Sequence, residues 1–506
     1  MSAALGIVAA GVAAYANSFG GAFVFDDTGA ILENATLRHA STVLSPAAGV
    51  GGGTVLGRPL LNASLGLNWA ISDSATWSYH AFNLGVHLAA ALLLLALLGR
   101  TLPRAAAFAG ALVWTVHPLL TEAVTYVVQR AESLAAALTL FTLYALARSV
   151  EAPGARSRRT WAIGAVIACF LGMGVKETMY CAPLLAFLYD RAFLSGSVRE
   201  AWKRRAKLHG ALWACLLFLA RNSFIAGARG HTVGFRSGIP WAGYVQTQFH
   251  VVAHYLRLAL WPSPLVFDYG VRSFTGWAVL PAAALVLALL VLTLVGLLRW
   301  PRTSFLGCVF FLVLAPTSLV AGNRQTAAEH RMYLPLAAAA ALAAAGSAEA
   351  ARRRCRAAPY ILAAAALPLA LATHHRNHAY ASDLTLYRDS TVKLPDSAFN
   401  HFDLAYALKQ RGDLAGAESE LRRTLELDPN IYHANTDLGD VLRGERKWSD
   451  AAQAYQAALA LDPNDAAVRF HLGQVRQAQG RAAEAAEQFN DAGLLDPTYR
   501  EAASSR

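Results

Sequence analysis

The sequence predicts an all-α protein in two parts: a polytopic membrane helical bundle followed by a soluble α-solenoid. Three observations carry this. The 506 residues are 55% hydrophobic and only 15% charged, which is more apolar surface than one soluble core can bury. Stretches of roughly 17 to 25 mostly apolar residues, the length that crosses about 30 Å of hydrocarbon, recur as far as residue 373. Beyond that point the composition turns to Glu, Asp, Gln and Arg at helical periodicity, and Asp-Pro returns at Asp428-Pro429, Asp462-Pro463 and Asp496-Pro497, a period of 34 residues.

The membrane elements follow in order. Residues 2–19 read as a first span; Ala14 and Ala16 form an A-x-A arrangement, but no basic region precedes the apolar run, so a cleaved signal peptide is the weaker reading. Basic residues then orient the bundle, because Lys and Arg collect in short loops on the cytoplasmic side. They cluster at Arg100 and Arg104; at Arg148, Arg156, Arg158 and Arg159; at Arg199, Lys203, Arg204, Arg205 and Lys207; at Arg299 and Arg302; and at Arg352, Arg353, Arg354 and Arg356. An even number of crossings must separate successive clusters, and the apolar segments at 79–98, 105–120, 132–148, 161–175 and 179–192 supply the first of them.

Three apolar stretches lie between Lys207 and Arg299, where parity allows two. The middle one, 244–261, carries His250, His254 and Arg257 with Pro262 and Pro264 behind it, and is expected to lie in the interface or re-enter on the outer side. Eleven spans result, with the amino terminus inside and the tail outside: a bacterial inner-membrane protein with a periplasmic tail, or an endoplasmic-reticulum protein with a lumenal one. The net charge of +11 is accounted for by the cytoplasmic loops, and no nucleic-acid partner is implied. The five cysteines have neither CxxC pairing nor metal-ligand spacing.

The 34-residue period is that of tetratricopeptide repeats. Leu404, Leu438 and Leu472 hold the first-helix core position, followed by the small residues Ala405, Gly439 and Gly473 where the paired helix must approach closely. Ala417, Ala451 and Ala485 are the small residues of the second helix, with Leu421, Tyr455 and Phe489 four positions on. Pro395 lies one more period upstream, so Tyr380–Pro395 reads as a degenerate unit. The expected division is a membrane domain at 1–373 with an outer loop at 20–78, a linker or degenerate repeat at 374–396, three repeats at 397–498 and a tail at 499–506. Such arrays present a concave surface to peptide segments; a dimerisation or scaffold arm is the plainer alternative.

The outer loops hold the informative charge. Asp26 and Asp27 open a loop of about 60 residues, far longer than a connection requires, which also contains Gly51-Gly52-Gly53, Arg58-Pro59, Trp69, Trp77 and Tyr79. On the same side fall His117, Glu122, Arg130 and Glu132 of HPLLTEAVTYVVQRAESLA, the Lys176-Glu177 pair, Asp268 with Arg272, and Glu329, His330, Arg331 and Tyr333. Any one of these reads as an ion pair at a helix end. Together they gather cations and carboxylates at one membrane face, as expected where an anionic headgroup is held beside a base.

On FVFDDTGAILEN, the RPL at Arg58, SYHAFNLGVHL, HPLLTEAV followed by RAE, the KE pair and EHRMYLPL, nearly the whole chain resembles the transmembrane and tetratricopeptide-repeat-containing protein O-mannosyltransferases of the GT-C glycosyltransferase superfamily. The resemblance implies transfer of mannose or a related sugar from a polyprenyl-phosphate carrier to Ser or Thr hydroxyls of exported proteins, with inversion. It implies Asp27 or Asp26 as the base, Arg331, Arg130 and Lys176 on the donor phosphate with Arg58 behind them, and Glu132, Glu177 and Glu329 orienting those cations, with His117 and Glu122 in support. A carboxylate pair and a histidine can hold Mg²⁺ or Mn²⁺, yet Arg and Lys suffice for a single phosphate, so neither metal nor cofactor is expected. The expected partners are the lipid-linked donor and an acceptor polypeptide on the concave face of the repeats. The short array and the Arg-rich, Ala-rich composition point to a bacterial chain with an undecaprenyl-like or decaprenyl-like carrier, which leaves sugar and acceptor open. The alternative is a non-catalytic membrane anchor displaying repeats to organise envelope or secreted proteins.

Overall fold

The computed structural model describes residues 2–45, 53–226, 240–271, 273–320 and 325–500, so Gly51-Gly52 and Arg272 lie outside the described residues. Among the described residues the regular structure is helical throughout. In chain order the first part comprises α1 (Ser2–Tyr15), α2 (Pro59–Ser72), α3 (Trp77–Leu98), α4 (Arg104–Thr115), α5 (Thr121–Thr125), α6 (Arg130–Glu151), α7 (Ala155–Met173) and α8 (Ala182–Tyr189). It continues with α9 (Val198–Ala226), α10 (Trp241–Leu260), α11 (Leu280–Arg299), α12 (Pro301–Leu319), α13 (Tyr333–Arg353), α14 (Ala358–Ala364) and α15 (Ala366–Asn377).

Six helical segments among the described residues are long and apolar enough to cross a membrane, and a seventh if the bent pair Arg104–Thr115 with Pro118–Thr125 is one crossing. The chain is thus a multi-pass membrane protein. The four other expected spans are helical but fall short for identifiable reasons. α7 opens on three arginines, α8 has 8 residues and runs into a π-turn, α9 is kinked at Arg205, and the last is interrupted at Ala365 between α14 and α15.

The stretch expected in the interface is the continuous 20-residue helix α10. The Trp241 indole donates to the Leu319 carbonyl, the Tyr244 hydroxyl to that of Thr317 and the Gln248 amide to that of Thr326, while His250 meets the Ala278 carbonyl and Tyr255 that of Ala328. All these partners lie at the same ends of α11, α12 and α13, so α10 lies across one end of the bundle rather than through it. Its polar groups on the buried side find carbonyls freed at helix ends, which is where unpaired backbone acceptors are available.

The chain divides into two compact units, residues 1–265 with 271–382, and residues 266–270 with 383–506. The second contains α16 (Asp383–Lys393), α17 (Ala398–Gln410), α18 (Leu414–Leu427), α19 (Tyr432–Gly444), α20 (Trp448–Leu461), α21 (Ala466–Ala478) and α22 (Ala482–Leu495), packed as successive antiparallel pairs. The period is written into its hydrogen bonds. His401, Asn435 and Arg469, one repeat apart, each bond the carbonyl of the proline six residues earlier, Pro395 at 2.9 Å, Pro429 at 3.3 Å and Pro463 at 2.9 Å. A Cβ on Gly439 would stand 2.5 Å from the Tyr455 ring, and one on Gly473 2.7 Å from that of Phe489, so a larger side chain at either position would have to displace the aromatic ring packed over it. α16 packs on α17 as the second helix of the degenerate unit would, and the ring of Phe267 lies 6.2 Å from that of Tyr387.

Candidate active site

Helices α6, α8 and α13 of the first unit are each preceded by a turn of 3₁₀-helix, at Val127–Gln129, Glu177–Cys181 and Glu329–Met332. A helix start leaves N–H groups without partners and carries partial positive charge, and here buried carboxylates take them up. Asp27 Oδ1 accepts the Val128 N–H at 2.7 Å and Oδ2 that of Val24 at 3.1 Å. Glu122 Oε2 accepts the His330 N–H at 2.8 Å, and its Oε1 lies 2.7 Å from His330 Nδ1. Both carboxylates are buried. Segments far apart in sequence are thereby joined at one end of the bundle.

Asp26 differs from its neighbour. Its side chain is half-buried; Oδ2 accepts the Thr54 hydroxyl at 3.1 Å, and its own N–H donates to the Tyr126 hydroxyl at 3.0 Å. Thr54 passes the network on, because its carbonyl accepts from Arg58 Nη1 at 3.0 Å. Arg58 grips Glu177 through Nε and Nη2, at 3.4 and 2.8 Å. Beside them Lys176 pairs with Glu132 at 2.8 Å, both nearly buried. Burial pushes the Lys176 ammonium down to about 8; Glu132 opposes that, and the positive charges of Arg58 and Arg331 add to it. Burial likewise lowers Arg58 to about 10 against the pull of Glu132 and Asp26. Lys176, Arg58 and Arg331 therefore feel one another, and the arrangement can hold an anion beside an accessible carboxylate.

Asp27 and Arg130, nominated as base and phosphate ligand, are both buried and bonded within the protein. With both oxygens on backbone amides and no exposed surface, Asp27 anchors the loop; burial pushes its carboxyl up to about 8 despite the amides of Val24 and Val128. Arg130 is fully buried, donating to the carbonyls of Ser64 and Tyr79 and to Asn68 Oδ1, with its guanidinium 4.7 Å from the centre of the Phe82 ring. Those bonds pin α2 against α3 and α6. Arg331 is half-buried and donates to the carbonyls of Gln325 and Thr326, shaping the turn before α13.

Among the supporting residues, Glu132 and Glu177 hold Lys176 and Arg58 as described. Glu329 faces a cation not singled out from sequence, Arg376 of α15, at 4.0 Å. His117 caps the short turn at Pro118 by accepting the Leu119 N–H, and its Nε2 bonds the Ala259 carbonyl at the end of α10. Sequence reasoning missed Thr54 and Tyr126; a hydroxyl in a loop and a tyrosine in an apolar turn carry no spacing signal. Among the described residues no group of three or more His, Cys, Asp and Glu is placed to hold a metal ion.

Fold and site together describe a polytopic helical membrane protein with a carboxylate and cation cluster at one end of its bundle, followed in the sequence by a tetratricopeptide array. A tetratricopeptide-repeat model matches residues 439–480. Over 274 residues the chain is 31% identical to protein O-mannosyl-transferase Tmtc2 of Drosophila melanogaster, covering 51% of this chain and 29% of that one. It is 24% identical to protein O-mannosyl-transferase F38B6.6 of Caenorhabditis elegans, covering 84% and 62%, and 26% identical to human protein O-mannosyl-transferase TMTC1, covering 85% and 55%. The chain is similar to these protein O-mannosyl-transferases and spans less than two thirds of the length of each of them. Among solved structures, that of MamA aligns over 24% of this chain and 70% of its own at 20% identity, with a TM-score of 0.23, too low to bear on the fold.

Proposed function

We propose that the protein transfers mannose or a related sugar from a polyprenyl-phosphate carrier to Ser or Thr hydroxyls, with Asp26 as the general base. The observation that carries this reading is the network Asp26–Thr54–Arg58–Glu177 with Lys176 and Arg331 beside it: a half-buried carboxylate next to buried Arg58 and Lys176 and half-buried Arg331. The acceptor oxygen attacks the anomeric carbon from the face opposite the phosphate. As that bond forms, the carbon–oxygen bond to the phosphate breaks, the hydroxyl proton passes to Asp26, and polyprenyl phosphate leaves against Lys176, Arg58 and Arg331. A single displacement inverts the anomeric configuration, and no second carboxylate is needed because no water is activated.

A groove of about 400 Å³ supports a lipid-linked donor. It is lined by Leu256 of α10, Leu289 and Leu292 of α11, Phe310 and Phe311 of α12 and Leu342 of α13. Leu256 adjoins Tyr255, whose hydroxyl exchanges hydrogen bonds with Ala328 three residues before Arg331. The groove is apolar and lies between helices, a surface suited to an isoprenoid tail.

The test is transfer of labelled sugar from synthetic polyprenyl-phosphate-mannose to exported protein in membranes containing the intact chain, Asp26→Asn or Asp27→Asn. Label transferred by the intact chain and abolished by Asp26→Asn supports the reading. Equal transfer by Asp26→Asn overturns the assignment of the base, and no transfer by folded, inserted intact chain overturns the donor or favours a scaffold.

A further inference from the structure

The opposite end of the bundle holds a second buried polar cluster that the proposed transfer does not use. From the 3₁₀ turn at Glu177 through α8 to Asp190, at the start of the π-turn Asp190–Ser195, the chain travels about 20 Å, which places Asp190 away from the site. Asp190 has no exposed surface. It accepts from the Ser195 hydroxyl at 2.7 Å, from Arg205 Nε at 2.6 Å and from His209 Nε2 at 2.8 Å, while Arg205 also meets Ser195. The His209 ring is buried edge-on against Phe187.

Arg205 is where α9 breaks. Its backbone sits at φ −135° and ψ 30° in an otherwise helical segment. A kink needs an identifiable cause, and here a buried carboxylate grips the guanidinium of the residue at the break. The two turns before it, Val198–Arg204, are thereby held out of line with the apolar part of α9.

These turns have an unusual surface. Arg199, Lys203, Arg204 and, just past the break, Lys207 are exposed, and among them Trp202 is 50% and Val198 52% exposed. Glu200 is the single acid in the first turn and pairs with Arg204. α7, packed against α9, opens with exposed Arg156, Arg158 and Arg159 and no acid in its first turn. Cations at a helix start oppose the helix dipole; α7 has no acid in its first turn to offset them and α9 has Glu200 alone. An anionic surface satisfies both, and exposed tryptophan beside cations is the composition of a membrane interface.

We propose that Val198–Arg204 is a foot that binds the headgroups of anionic phospholipids in the adjacent leaflet, with Trp202 seated at headgroup level and the Asp190–Arg205–His209 cluster holding the bend. Cation clustering alone orients a membrane protein; the foot adds a built kink and an exposed aromatic, and so predicts local lipid selectivity beyond charge.

The full chain is reconstituted in phosphatidylcholine with trace spin-labelled phosphatidylglycerol or spin-labelled phosphatidylcholine, and the motionally restricted fraction of each is measured. The intact chain is expected to prefer phosphatidylglycerol, with a preference that falls as salt is raised. Lys203→Gln/Arg204→Gln/Lys207→Gln, all at exposed positions, should lower that preference by roughly five-fold per charge at low salt. Arg352→Gln/Arg353→Gln, at an exposed site on the same end, should leave most of it. Equal preference in the triple variant and the intact chain, or equal loss in both variants, overturns the proposal. Asp190→Asn, with every foot cation intact, should also lose selectivity; a normally folded Asp190→Asn that keeps it overturns the role of the cluster.

Discussion

The charged networks of the membrane unit and of the repeat array are built from the same residue types but on opposite plans. In the array, Lys409 reaches Asp437 at 2.7 Å and Asp440 at 3.3 Å, and Asp440 also accepts from the Tyr455 hydroxyl, all within about one repeat and all partly open to water. In the membrane unit, Asp26, Arg58, Glu132, Lys176 and His330 come from segments as much as 300 residues apart, and most are buried. Local, solvated pairs are exchangeable stabilisers worth about 0 to 1 kcal/mol each. Long-range buried ones leave an uncompensated charge when one partner is lost. The first plan suits a surface, and the second suits a site whose geometry must not drift.

Several substitutions would break or sharpen that contrast. The largest effect is expected for Asp26→Asn, which keeps the shape of the side chain but removes the base; transfer should fall by about 10²- to 10⁴-fold with an unchanged melting temperature. Next, Glu132→Gln strands the Lys176 ammonium and should cost about 3 to 5 kcal/mol, seen as early melting in detergent. Glu132→Gln/Lys176→Gln should recover much of that stability without recovering activity. Asp27→Asn puts an amide donor against the N–H of Val24 or Val128 and should destabilise the loop by about 1 to 3 kcal/mol. Loss of transfer in that variant should track loss of folded protein, unlike Asp26→Asn.

A pH series tests the cation cluster without mutation. Lys176 is held down to about 8, so it is charged below that value and neutral above it; KM for the donor should rise as pH passes through about 8. A flat KM from pH 7 to 9 would remove Lys176 from the phosphate. The smallest effect is expected in the array. Hydrogen bonding to Glu420 raises His401, with further help from the Pro395 carbonyl. Its contribution is therefore full at low pH and fades as pH rises through the folded-state value. His401→Gln should change stability by less than about 1 kcal/mol, with the difference shrinking in alkaline buffer.

The array was legible because its information is periodic. Gly439 and Gly473 sit under Tyr455 and Phe489 as the 34-residue spacing requires, and close packing leaves the sequence little choice at those positions. The site was legible as a set but not in its wiring. Which of two adjacent aspartates faces outward depends on the backbone at Phe25, where φ is 50° and the chain turns tightly, and on amides contributed a hundred residues later. Arg130 read as a ligand because a charge beside an apolar run invites that reading; its partners are two carbonyls and an amide, atoms that no side-chain pattern reports. The kink at Arg205 and the break at Ala365 were likewise not legible in the apolar runs, since both are tertiary outcomes.

The recurring bond from His401, Asn435 and Arg469 to a proline carbonyl has an engineering consequence. Each repeat is closed by the same clamp on its own entry turn, so the clamp need not be redesigned when a unit is copied. A duplicate of residues 430–463 inserted after Pro463 brings its own Asn435 equivalent and returns the chain to Asn464 in phase. The length of the solenoid is then an adjustable integer, and a ladder of such insertions would give concave surfaces graded in steps of one helix pair on an unaltered membrane unit.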